Sequence, residues 1–437
     1  MFSTDFSQLF NITSLGLSLL CLGYNIGLTS FRYSTFEVYN HFDTLTTTVL
    51  MGATTYCVHW LNEGGDIELK DNKPITALVF GMQLLLVYLD RKKNVEGQKY
   101  QNQNLDGLVY VVTGCNTGIG LETVRALLKM GATVIMACRS VSKANGARDL
   151  LLKEIKCAPS KAIVIPIDLC DFKSVRKFVK DFEALGMPLH GLINNAGLMM
   201  SERTLTPAGL EMVFTANHLS HFLLTNLLLP ALEKTQGRVV NLSSSIHRLA
   251  PKFNFDDVMT EKNYELFSNY AQSKLANILF TKELQRRMTE CGSGVTCVSV
   301  HPGCVRTEVT RHMSPIMQFL NNLFAPILAS MQKTPEQGAY TSIHAAIASP
   351  HALFGKKSVK KQSATSSAKE REQMLQRMRS GGLLFHCRLI PVSPAAEDKE
   401  AAKRLWLLSE KLTGYSASSS STSSTSGANK HNSSSSK

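Results

Sequence analysis

The sequence has no C-x-x-C pair and no cluster of Cys and His at zinc-ligand spacing; its 10 Cys stand singly along 437 residues. A disulfide framework and a structural zinc module are thereby excluded, no metal site is expected, and free thiols are the expectation. Charge is scarce, with Asp, Glu, Lys and Arg at 19% against 44% apolar residues, a balance of folded domains rather than of a disordered chain or a long coiled coil. Acid is scarcer than base: 34 Asp and Glu face 47 Lys and Arg, a net +13, which raises nucleic acid and anionic membrane surfaces as partners. About half of that excess is local, since residues 356–411 hold 13 basic and 6 acidic residues. The stretch lacks interleaved aromatics and any nucleic-acid-binding motif, so no nucleic-acid partner is expected; a solvated loop or a contact with anionic lipid headgroups accounts for it.

The N-terminal region lacks a basic start and an Ala-x-Ala cleavage site, so an uncleaved anchor is expected rather than a secretory signal peptide. Instead it has three uncharged stretches: Phe6 to Phe31 (26 residues), Thr44 to Asn62 (19 residues) and Pro74 to Leu89 (16 residues). The first is long enough to span a bilayer, at about 20 residues per span, and the others are shorter or richer in Thr. Residues 1–100 are therefore expected to form a membrane-anchoring region of one to three apolar segments. Arg91-Lys-Lys93 directly after the last segment favours the cytosol for everything downstream.

From Leu105 the texture changes to short apolar runs separated by amphipathic stretches. Strands are predicted at Leu108–Thr113, Thr133–Cys138, Ala162–Asp168, Gly191–Asn194, Arg238–Ser243 and Val295–His301, with helical patterns between them such as Leu121–Lys129, Ser174–Ala184, Leu210–Leu232 and Leu266–Met288. This is an α/β class with a doubly wound parallel sheet. The domain runs over 105–354, is interrupted by a basic insertion at 355–380, is completed by 381–414 and ends in a Ser-rich tail, 415–437, with nothing to bury.

The first strand runs into Thr113-Gly-Cys-Asn-Thr-Gly-Ile-Gly120 and a helix. Gly114, Gly118 and Gly120 allow a tight turn through which backbone N–H groups approach a pyrophosphate. The second strand ends at Arg139, where a site for NAD would carry Asp or Glu; an Arg there suits a 2′-phosphate. The third ends at Asp168-Leu and the fourth runs into Asn194-Asn-Ala-Gly197. In this order and spacing the motifs resemble the short-chain dehydrogenase/reductase superfamily over residues 105–415, the insertion excepted.

The resemblance implies a Rossmann-like fold in one catalytic domain and a catalytic set of Asn217, Ser244, Tyr270 and Lys274, with Ser243 and Ser245 as rivals of Ser244. Tyr270-Ala-Gln-Ser-Lys274 puts two side chains one helical turn apart, and an ammonium beside the phenol would favour the phenolate. The resemblance further implies a cofactor site of Gly114, Asn116, Thr117, Gly118, Ile119, Gly120, Arg139, Asp168, Asn195, Ala196, Gly197, Tyr270, Lys274, Pro302, Gly303 and Thr307. The cofactor is expected to be NADP, NADPH in preference, with NAD as the alternative. His218 and His221, three apart, lack a third ligand and are expected in the core or at an interface. An apolar stretch, Met313 to Leu328, stands at the family's substrate lid.

Tyr270-Ala-Gln-Ser-Lys-Leu-Ala-Asn, Lys333-Thr-Pro-Glu-Gln-Gly-Ala and Arg404-Leu-Trp-Leu-Leu-Ser-Glu resemble the retinol dehydrogenases and their X-linked dehydrogenase/reductase relatives. That likeness implies a membrane protein of the endoplasmic reticulum, its catalytic domain facing the cytosol, acting on a hydrophobic alcohol, aldehyde or ketone such as a retinoid or polyprenol. An oligomer is compatible with it. The rival expectation is a non-catalytic NADPH-binding membrane scaffold or sensor.

Overall fold

The computed structural model describes residues 100–305, 332–349, 353 and 381–416. The chain divides into two compact units, Met1–Gln98 and Lys99–Lys437. The three apolar N-terminal segments, the lid, Thr307, the basic insertion and the Ser-rich tail from residue 417 lie outside the described residues, whereas Tyr415, expected in that tail, packs against Phe222 in the core. Among those described, no helix is long and apolar enough to cross a membrane.

The second unit alternates strand and helix. β1 (Val109–Thr113), α1 (Gly118–Lys129), β2 (Thr133–Cys138), α2 (Val141–Ile155), β3 (Ala162–Pro166), α3 (Phe172–Glu183) and β4 (Gly191–Asn194) come first. Then follow α4 (Ser220–Thr235), β5 (Arg238–Leu242), α5 (Leu266–Glu290), β6 (Thr296–His301), α6 (Pro335–Ile347), β7 (Leu383–Phe385), β8 (Arg388–Ile390) and α7 (Lys399–Thr413). The sheet has the order β3-β2-β1-β4-β5-β6-β7-β8, parallel throughout except for the β7–β8 pair. Its order reverses between β1 and β4, so the crevice at their C-terminal ends is where a ligand is expected in such a sheet.

Successive strand residues feed opposite faces. In β1, Tyr110 and Val112 pack with Leu127, Ala144 and Ile343 from α1, α2 and α6, whereas Val109 and Val111 pack with Phe178, Phe222 and Phe280 from α3, α4 and α5. Both faces being covered explains why all five β1 residues are buried and why the strand reads as a continuous apolar run.

Two features depart from the predicted elements. The helix expected over Leu210–Leu232 begins with a turn at Met212–Phe214, passes through a π-turn at Thr215–Leu219 and only then becomes α4. The buried Glu211 carboxylate caps it, accepting from the N–H groups of Val213 (2.9 Å) and Phe214 (2.6 Å). The sheet also gains β7 and β8, joined by a two-residue turn in which His386 (φ 51°) and Cys387 (φ 57°) are both left-handed. That conformation usually selects Gly or Asn, so neither composition nor the three-residue strands signal the hairpin. Its place is set by pairing, Ser299 with Leu383 through His301 with Phe385.

Candidate active site

The turn between β1 and α1 is built for close approach. Gly114 has φ 61° and Gly118 φ 59°, and a Cβ on Gly114 would lie 2.8 Å from Ala196 Cβ. Asn195 closes the turn from β4, its Nδ2 donating to the carbonyls of Thr113 (2.8 Å) and Gly114 (3.1 Å). Thr117 makes no side-chain cap on α1 and no acid stands in the first turn, which leaves the helix N-terminus to an anion. Asn116, Thr117, Gly118 and Ile119 are partly exposed along it. Arg139 is exposed at the end of β2. Asp168 folds its own turn, Oδ1 accepting from the Cys170 N–H at 2.9 Å. A glycine cradle, an uncapped helix start and a basic side chain at the second strand end together fit a dinucleotide.

Across the crevice, α5 carries Tyr270 and Lys274. Lys274 is buried, and Nζ donates to the Leu242 carbonyl (3.2 Å) and lies 5.4 Å from the Tyr270 ring centroid. Gly197 is where the cluster meets: a Cβ there would stand 3.2 Å from Lys274 Nζ and 3.5 Å from Asn217 Oδ1. The Asn217 side chain is held at three points, Oδ1 accepting from the Leu198 N–H (2.8 Å) and Nδ2 donating to the Leu198 carbonyl (3.0 Å) and Ser273 Oγ (3.0 Å). Its π-turn is a device that recurs at functional sites because it re-aims one carbonyl without ending the helix.

Burial sets the proton affinities. It pushes the Tyr270 phenol up to about 12 and pulls the Lys274 ammonium down to about 8. The expected effect of the lysine on the phenol is therefore outweighed by desolvation, and the lysine spends its proton on a backbone carbonyl.

The three serines after β5 differ in what they hold. Ser243 is buried and its Oγ donates to the Lys274 carbonyl at 2.7 Å. Ser245 donates its N–H to His301 Nδ1 at 3.3 Å. Ser244 is half-buried and its Oγ accepts only a long bond, 3.3 Å, from the Ile246 N–H. Pro302 and Gly303 follow β6; Gly303 has φ 93°, and His301 beneath them stacks on Phe385 at 4.7 Å.

Several supporting residues escape a motif search. Asn194, Asn241 and Ser299 stand side by side on β4, β5 and β6, and Asn194 Nδ2 donates to Asn241 Oδ1 (2.7 Å) and Thr225 Oγ1 (2.9 Å). Asn277 Nδ2 shares the Leu242 carbonyl with Lys274 (3.0 Å). The one available signal was polar residues inside strands otherwise apolar. His218 and His221 are both buried and pulled far below the usual imidazole range by desolvation, to about 3 and about 4.

The pattern of the short chain dehydrogenase family matches residues 108–317. Retinol dehydrogenase 11 of Mus musculus is 42% identical over 348 residues, 77% of this chain and 98% of that protein. Retinol dehydrogenase 12 of Homo sapiens is 41% identical over 314 residues, 72% of this chain and 88% of that protein. Among solved structures, an uncharacterized protein from Mycobacterium Paratuberculosis superposes with a TM-score of 0.52 at 30% identity, covering 72% of this chain and 96% of that one. With a glycine-cradled turn, a Tyr–Lys pair one helical turn apart and relatives matched along nearly their whole length, the chain belongs to the short-chain dehydrogenase family as a retinol-dehydrogenase-like member, an NAD(P)-dependent oxidoreductase acting on CH–OH groups.

Proposed function

We propose that the chain is a membrane-associated, NADP(H)-preferring dehydrogenase/reductase of a hydrophobic isoprenoid alcohol or aldehyde of the retinoid type, with Asn217, Ser244, Tyr270 and Lys274 as its catalytic residues. The observation that carries the reading is the meeting of Lys274 Nζ and Asn217 Oδ1 at Gly197, with the Tyr270 ring beside them. The names of the relatives support the substrate class. Arg139, exposed where an acid would serve a ribose hydroxyl, supports NADP(H). The uncharged run Phe6 to Phe31 and the basic Arg91-Lys-Lys93 support an anchor with the domain on the cytosolic side, at the endoplasmic reticulum.

Gly114, Asn116, Thr117, Gly118, Ile119 and Gly120 would cradle the pyrophosphate; Arg139 and Asp168 would flank the adenosine half. Asn195, Ala196, Gly197, Pro302, Gly303 and Thr307 would line the nicotinamide half. The cofactor, when bound, supplies or accepts the hydride. Ser244 Oγ, half-buried and accepting only a long bond from the Ile246 N–H, orients the substrate oxygen and polarises it. Tyr270 stays protonated across the physiological range, which suits the reducing direction, where it gives its proton to that oxygen. Lys274, largely ammonium at pH 7, holds the ribose and refills the tyrosine, and Asn217 holds the water of the proton relay.

The test is nicotinamide absorbance with detergent-solubilised full-length chain, comparing NADPH and NADH against retinal, a long polyprenal and a short aldehyde. Turnover of the isoprenoid aldehydes with NADPH is expected. Faster turnover of the short aldehyde, or of NADH, would overturn the substrate class or the cofactor preference respectively.

A further inference from the structure

His221 lies one turn past Asn217, fully inside the protein, at the point where the π-turn passes into α4. Its Nδ1 is 3.1 Å from the Asn217 carbonyl and its Nε2 is 3.0 Å from Thr113 Oγ1. Which nitrogen bears the proton follows from the threonine. Thr113 Oγ1 accepts two backbone N–H groups, those of Asn195 (3.0 Å) and Ala196 (3.0 Å). A hydroxyl has two lone pairs and one proton. Both lone pairs are taken, so the proton goes to His221 Nε2, and the imidazole carries its hydrogen on Nδ1 and donates it to Asn217. The chain of bonds thus runs one way, from the β4 turn through Thr113 and His221 to one carbonyl. Burial pulls the imidazole to about 4, helped by the nearby Lys274 charge, so it stays neutral where the enzyme works.

We propose that His221 is a positioning residue for the proton relay: through Nδ1–H it fixes the backbone carbonyl of Asn217, and through Nε2 it ties that carbonyl to Thr113, Asn195 and Ala196 at the cofactor turn. The inference rests on the reading that Asn217 serves the relay. It extends that reading by making the cofactor turn and the relay one hydrogen-bonded unit, so that the π-turn carbonyl keeps its aim when the loop around Gly114 accepts an anion. A histidine placed only to fill space would need neither the directed tautomer nor partners 108 residues apart.

Two polar substitutions separate the contacts. His221→Asn can still donate to a carbonyl four residues back, as Asn226 does to the Phe222 carbonyl at 2.8 Å in the same helix, but cannot reach Thr113. His221→Gln places its amide where Nε2 was, keeping Thr113 and losing Asn217. With full-length chain, NADPH and retinal, kcat is taken per NADPH site titrated. His221→Gln is expected to lose about tenfold to a hundredfold in kcat, the cost of a misplaced relay group, with NADPH affinity unchanged and a larger solvent deuterium isotope effect as proton transfer becomes limiting. His221→Asn is expected to recover most of kcat and the parental isotope effect. Parental kcat in His221→Gln, or an equal loss in both variants, would overturn the proposal. Tyr270→Phe run beside them tells the two readings apart: if it too keeps turnover, the relay itself is wrong, and if it alone is dead, only the role of His221 fails.

Discussion

The two halves of the sheet solve different problems with different atoms. In β1 and β2 the strands are apolar almost throughout, and what they offer a ligand is main chain: left-handed glycines, an uncapped helix start and carbonyls closed by Asn195. In β4, β5 and β6 polar side chains enter the strands themselves, Asn194, Asn241 and Ser299 in one row, and beyond them lie Tyr270, Lys274 and Asn217. Apart from Thr113 and Arg139, the first half is therefore intolerant of added atoms and largely indifferent to side-chain chemistry. The second depends on side-chain chemistry, because the amides of Asn194 and Asn241 and the ammonium of Lys274 each hold partners across elements.

The largest effect that would break this contrast is chemical. Tyr270→Phe removes one oxygen from the second half, and kcat is expected to fall about a thousandfold, within the range for a lost acid–base group, with NADPH affinity kept; steady-state turnover and cofactor titration check both. Next comes a single methyl in the first half. In Gly120→Ala the new Cβ would meet Asn195 Nδ2 at 2.5 Å and the Gly114 carbonyl at 2.6 Å, so α1 must retreat from the turn. Overpacking of about 1–3 kcal/mol corresponds to NADPH affinity lower by about tenfold to a hundredfold, read by fluorescence titration, and parental affinity would show that the turn is not the cradle.

The smallest effect, a change in stability, sharpens the contrast because its sign opposes the loss of activity. Lys274→Met should abolish turnover yet raise Tm at pH 7 by several degrees, since it removes a buried ammonium while the Leu242 carbonyl keeps Asn277 as donor. The sign follows from linkage. The folded lysine at about 8 binds fewer protons than the unfolded one at 10.5, so its penalty is full below pH 8, shrinks from 8 to 10.5 and is gone above. The Tm difference between variant and parent should close over that window; a difference flat with pH would mean the lysine is not buried as a charge.

Much of the architecture was legible because it follows from short-range pattern. Thr133–Cys138 and Gly191–Asn194 fall on the predicted strand bounds, and the other four predicted strands differ by one or two residues at an end. The C-terminal hairpin was not legible, since three-residue strands around a left-handed His386-Cys387 turn have no local signature. Nor was the π-turn, where Asn217 meets Leu198 and Ser273, 19 and 56 residues away, through contacts that no periodicity reports.

The sequence by itself determined the class of fold and the family, through apolar runs of strand length, glycines where backbone must come close, and a Tyr and Lys one turn apart. Only the tertiary structure decided which of three serines is tied to the Lys274 carbonyl, how burial divides protons between Tyr270 and Lys274, and which nitrogen of His221 carries its hydrogen. Each of those depends on partners brought together from 31 to 108 residues apart and on the exclusion of water. Desolvation and lone-pair occupancy belong to the packed neighbourhood, which residue type and local order do not encode.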